Sequence, residues 1–107
     1  MVAANARLFL CRTPISMKKS FEGLSQLVEQ LFPEKLLSGA FFIFLNRQKT
    51  HMKVLYWDGD GFAIFYKRLE KGTFTAKKEG APQISRQEFL LLLEGVIPKR
   101  IQRRFSL

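Results

Sequence analysis

The chain has 107 residues, 47% of them hydrophobic and 25% charged, which fits one globular domain and excludes wholesale disorder. Its net charge of +9 favours a polyanionic partner, whether DNA, RNA or a membrane surface. A single cysteine excludes a disulfide framework and a multi-cysteine metal site, and no run approaches the ~20 apolar residues of a membrane span.

In chain order, Arg7 to Cys11 reads as a first strand, broken by Thr13-Pro14. Ser16 is the candidate N-cap of a helix from about Met17 to Phe32. Met17, Phe21, Leu24, Val28 and Leu31 follow the spacing of one helical face, and Pro33 ends it. Gly23 inside this helix costs about 1 kcal/mol against alanine unless a close contact uses its missing side chain. Phe41 to Leu45 is too short for a helix and reads as a buried strand. Asn46 to Thr50 is a polar loop.

Lys53 to Phe74 organises the rest. Two apolar runs, Val54–Trp57 and Phe62–Tyr66, flank Asp58-Gly59-Asp60-Gly61, the pattern of a β-hairpin. A turn centred on Gly59–Asp60 sets Trp57 opposite Phe62, Leu55 opposite Ile64 and Lys53 opposite Tyr66. Both faces are mostly apolar, so both need cover. With only two short helices available, an uncovered apolar patch is expected, and with it self-association or docking onto a partner protein. Thr73–Ala76 reads as a short last strand and Lys77 to Ile84 as a loop. Ser85-Arg86-Gln87-Glu88 is a capping box, opening a second helix that runs to about Gly95 and buries Phe89, Leu92, Leu93 and Val96.

The order β-α-β-β-β-(β)-α predicts an α+β fold: a small antiparallel meander around the aromatic hairpin, one helix before it and one after. Residues 1–97 form the single domain, and 98–107 a basic tail. Without a leader or a membrane span, the expected location is the cytoplasm.

The chemistry-bearing residues are mostly cations. Lys18 and Lys19, placed in the first turn of helix one just after Arg12, suit a phosphate at exposed backbone N–H groups. Arg47 and Lys49 sit in a loop. Lys67, Arg68 and Lys71 follow the hairpin, and Lys99, Arg100, Arg103 and Arg104 fill the tail. Tyr56, Trp57 and Tyr66 are interleaved with these cations, so each is either core or a surface for stacking bases. Asp58 and Asp60 fit a turn better than a metal site. One His and one Cys make no zinc site, so neither a metal nor any other cofactor is expected. No catalytic residue is identified: Ser16, Ser20 and Cys11 lack an activating motif.

Trp57-Asp58, Gly61, then Tyr66-Lys67-Arg68-Leu69-Glu70-Lys71-Gly72 with Phe74, resembles the signature of the second-reading-frame (TnpB-type) accessory proteins of insertion sequence family 66. Met17-Lys18-Lys19-Ser20-Phe21-Glu22-Gly23-Leu24 after Thr13-Pro14 resembles that family's helix-one motif. Gly39, Phe42-Ile43-Phe44 and Asn46-Arg47, followed by Lys53 to Leu55 and by Leu92-Leu93-Glu94-Gly95, match in order. The resemblance covers about residues 8 to 96. Two departures are Ser16, where the family often has Asp, and Thr75-Ala76, where it often has Trp-Pro.

The resemblance implies a role in transposition beside a separate transposase. With the charge, it gives an accessory protein that is not an enzyme, binding element-end DNA through phosphates or assisting the transposase and other element-encoded proteins. A protein adaptor with incidental charge is the alternative, and a metal-dependent nuclease using Asp58, Asp60 and Glu70 ranks third.

Overall fold

The computed structural model describes residues 6–77 and 79–94. Its elements are β1 (Leu8–Leu10), α1 (Phe21–Leu31), β2 (Phe41–Leu45), β3 (His51–Trp57), β4 (Phe62–Arg68), β5 (Gln83–Ile84) and α2 (Arg86–Glu94). They form one five-stranded mixed sheet in the order β4-β3-β2-β1-β5, with one helix before and one after the meander. The fold is α+β. β2, β3 and β4 pair antiparallel, whereas β1 joins β2 in parallel through the α1 crossover. A parallel neighbour demands such a crossover, because a short turn can only reverse the chain.

The hairpin has the predicted register: Trp57 faces Phe62, Leu55 faces Ile64 and Lys53 faces Tyr66. Asp58 N–H closes the turn on the Gly61 carbonyl at 2.8 Å, and Gly59 sits at φ +85°. That left-handed conformation is open to glycine at little steric cost.

Each sheet face carries its own core. Under α1, Phe9, Phe32 and Phe42 pack with centroids 5.1 to 5.7 Å apart, joined by Leu24, Val28, Phe44 and Leu55. On the other face Leu10, Ile43, Met52 and Val54 pack against Phe74, Ile84, Phe89 and Leu92. The cover there is α2 plus the fully buried Phe74 of the segment after β4. Among the described residues, therefore, the sheet core is closed on both sides by the chain itself. At the hairpin, Tyr56, Trp57, Phe62, Ile64 and Phe65 are only half-buried, so part of the apolar surface behind the expected association stays open among the described residues.

Two boundaries differ from the sequence reading. Helix one starts at Phe21, not Met17, with Ser20 as an extended N-cap whose side chain makes no cap bond. An α-helix from Met17 would need the Met17 and Lys19 carbonyls for the amides of Phe21 and Gly23. Both carbonyls are taken instead by Lys53 Nζ, at 2.8 and 2.7 Å. Residues 16–19 form a local turn, in which Ser16 accepts the Lys18 and Lys19 amides. Second, the last strand is Gln83–Ile84, inside the predicted loop. Thr73–Ala76 supplies only an isolated bridge at Thr73. Gly23 has the close contact that the sequence reading allowed for: a Cβ there would stand 3.3 Å from the Lys19 stem.

The capping box forms as predicted. Glu88 N–H donates to Ser85 Oγ at 3.0 Å, and Ser85 N–H to Glu88 Oε1 at 3.2 Å. Phe89 and Leu92 are buried behind it and Leu93 is half-buried; Val96 lies outside the described residues. Ser85→Ala should lower stability by about 1 kcal/mol, read as an earlier urea midpoint with an unchanged m-value.

Candidate nucleic-acid interface

Sheet topology collects the cations. β1 and β2 are parallel, so both finish at the same end of the sheet, where β3 begins and β4 finishes. The loop after β1, the 46–50 turn, the residues after β4 and the approach to β5 therefore meet there. Arg12, Arg47, Lys49 and Lys77 share one hollow at this end and Lys18 shares a groove with Arg47, while Lys67 and Arg68 finish β4, Lys71 follows it and Lys19 follows Lys18. Asp58 and Asp60 lie at the opposite end of the hairpin. Glu70 lies past the far end of β4, about 20 Å away at ordinary strand rise. Lys99, Arg100, Arg103 and Arg104 lie outside the described residues.

Several of these cations are internal fasteners. Arg12 donates from its two terminal nitrogens to the Lys77 and Ala81 carbonyls at 2.8 and 2.7 Å, while its Nε is buried without a partner. Lys49, held at φ +59°, donates to the Ala76 carbonyl at 2.7 Å. Lys67 donates to the Leu93 carbonyl near the C-terminal end of α2, where a cation also suits the helix dipole. Arg68 pairs at the surface with Glu70 at 3.3 Å. Lys18, Lys19 and Arg47 are exposed, and all three stand in turns rather than in a helix.

Lys18 and Arg47 flank a groove of about 630 Å³, with Ser16 and Asn46 on its walls and His51 and Tyr66 also lining it. A smaller hollow of about 350 Å³ lies on the other side of Arg47, against Arg12, Lys49 and Lys77. Asn46 builds the wall between them. Its Oδ1 accepts the Thr50 and His51 amides at 2.9 and 3.0 Å, which fixes the amide orientation. Nδ2 then faces Gln48 Oε1, Thr50 Oγ1 and His51 Nδ1 at 3.2, 3.0 and 3.1 Å, and Thr50 Oγ1 is 2.8 Å from the same His51 nitrogen.

Tyr66 is 53% exposed, and Lys53 Nζ lies over its ring at 5.0 Å from the centroid. The other two candidate aromatics are not available in this way. Tyr56 stacks on Phe41 at 4.5 Å, on the sheet face opposite α1. Trp57 meets Phe62 edge-on at the acidic end. Lys53, only 8% exposed, was not among the sequence candidates. Its signal was available: a charge on a hairpin face otherwise made of Leu55, Trp57, Phe62 and Ile64.

Cys11 is buried, and burial pushes its thiol above the ordinary range, against a smaller opposing pull from its contact with the Thr13 backbone. No group of three His, Cys, Asp or Glu side chains among the described residues is placed to hold a metal ion. No helix among them is long and apolar enough to cross a membrane.

Fold and site thus define a small α+β protein with a cation-rimmed groove at one end of its sheet. The chain belongs to the IS66 Orf2-like (TnpB) family of transposition accessory proteins, whose model matches residues 6–103. Two uncharacterized proteins of Sinorhizobium fredii are similar. One, y4jC, is 30% identical over 92% of this chain and 86% of its own length. The other, y4hO, is 31% identical over 86% of this chain and 82% of its own. No solved structure matches. The family-like segments Thr13-Pro14, Met17-Lys18, Asn46-Arg47 and Tyr66 all contribute to the groove wall.

Lys53→Met should lower stability by about 2 kcal/mol, the range for hydrogen bonds to a charged group, measured by urea unfolding. The raised thiol pKa keeps Cys11 protonated at neutral pH. It should therefore react with a thiol reagent far more slowly in the native protein than in urea, read by mass spectrometry.

Proposed function

We propose that the protein is a non-catalytic DNA-binding accessory of transposition, acting in the cytoplasm and gripping element-end DNA by its phosphates at the basic end of the sheet. The observation that carries this reading is the meeting of exposed Lys18 and Arg47 on one groove, with exposed Lys19 next in the chain and Asp58 and Asp60 at the far end of the hairpin. A charge distribution of this kind steers a polyanion to one end of the molecule. The transposase and the other element-encoded proteins are the partners that the family role suggests. The separation of Asp58 and Asp60 from Glu70 supports the non-catalytic part, since a two-metal site needs carboxylates that converge.

Phosphate contacts position a protein without reading sequence, so binding should be weakly specific and strongly dependent on salt. Each neutralised phosphate contributes about 0.9 to the slope of log affinity against log salt on duplex DNA. Lys18→Ala with Arg47→Ala should flatten that slope by about two, measured by gel shift at several salt concentrations. Truncation after Pro98 should flatten it separately, by up to about four. Lys67→Ala should leave the slope unchanged and lower stability instead, because its ammonium holds α2. If the Lys18/Arg47 variant and the truncation both keep the parent slope, the charge is a solvated face and the protein is an adaptor.

A further inference from the structure

We infer that the groove holds unpaired nucleotides stacked on Tyr66, so that single-stranded DNA is the form this protein prefers. The inference rests on the DNA-binding reading above and adds the state of the strand.

Three observations carry it. First, Tyr66 is an aromatic side chain left half-exposed in a chain that packs its other hairpin aromatics. Its ring lies against the Lys53 ammonium, which is itself fixed by the Met17 and Lys19 carbonyls. The ring is therefore held in place while half of the residue stays open to a base. Ordering such a platform before binding removes part of the entropy cost of stacking. Second, Lys18 and Arg47 stand on the rim of the groove that Tyr66 and His51 also line. A ring between cations suits a strand that sets a base on the ring and its flanking phosphates on the charges. A paired duplex keeps its base faces inside the stack and offers the ring nothing. Third, the His51 ring is 6.0 Å from that of Tyr66 and lines the same groove, which sets a second ring beside the platform. The groove, at about 630 Å³, falls within the size range of sites that enclose small ligands.

The test is fluorescence anisotropy on the full chain, with a labelled oligodeoxynucleotide, the same strand annealed to its complement, and an RNA of the same sequence. The single DNA strand should bind more tightly than the duplex. Tyr66→Leu should weaken single-strand binding by about tenfold and leave duplex binding within about twofold, whereas Tyr66→Phe should retain the parent affinity. Tyr66 is at the surface, and far-ultraviolet circular dichroism checks that each variant is folded. If single strand and duplex bind alike and Tyr66→Leu changes neither, the strand preference is wrong while the phosphate-binding reading stands. Tighter binding of the RNA than of the DNA strand would overturn the assignment to DNA. If no nucleic acid binds at low salt, both readings fail together.

Discussion

One buried ammonium organises the functional end of this molecule. Lys53 enters on the middle of a β-strand, on a face otherwise given to core, and a lone charge there would be costly. It is satisfied by the Met17 and Lys19 carbonyls, and those bonds decide where α1 can begin. Met17 and Lys19 turn their carbonyls toward the ammonium, and the helix starts only at Phe21. The chain therefore crosses residues 16–19 as a turn, from which Lys18 and Lys19 are exposed rather than wound into a first helical turn. The same ammonium lies against Tyr66. A single side chain thus links the core, the helix start, the exposed lysines and the exposed ring.

Lys53 is one of a set. Arg12, Lys49 and Lys67 also spend their charge on backbone carbonyls, tying the approach to β5, the segment after β4 and the end of α2 to the sheet. Long basic side chains suit this task in a small domain. Their stems cover apolar surface while their heads satisfy carbonyls that loops leave open. The formal charge of +9 consequently overstates what a polyanion could touch. The exposed set is smaller, and two of its members, Lys18 and Arg47, line one groove.

What was legible in the sequence was what depends on local pattern. The hairpin register followed from a Gly/Asp turn between two β-rich runs, and the capping box from the spacing of Ser85 and Glu88. The alternation of the two sheet faces followed from the period of a strand. What was not legible depended on distant partners. No periodicity marks Gln83–Ile84 as a strand; it exists because the free edge of β1 accepts it. The start of α1 was misplaced because Ser16 resembles a cap and Lys53 lies more than thirty residues away. Among the candidate cations, sequence could not separate fasteners from free groups, because an arginine on a carbonyl and one facing water look alike until the chain is folded. The convergence of Lys18, Arg47 and Tyr66 required the parallel pairing of β1 with β2.

The two-residue strand β5 also bears on how the molecule opens and closes. The β2–β3–β4 meander is built from contacts near in sequence, whereas the Leu10 amide meets the Pro82 carbonyl only after most of the chain has been laid down. Closing so long a loop for so short a ladder makes β5 the last piece to dock and the first to come away. Its release would take one side chain, Ile84, out of the core, and it would detach the Ala81 carbonyl from Arg12 and leave part of that guanidinium without a partner. Arg12 borders the hollow beside Arg47, so local breathing at this sheet edge adds a cation to the basic end without moving the meander. Amide exchange at Leu10 and Ile84, compared with Val54, reports how often that occurs.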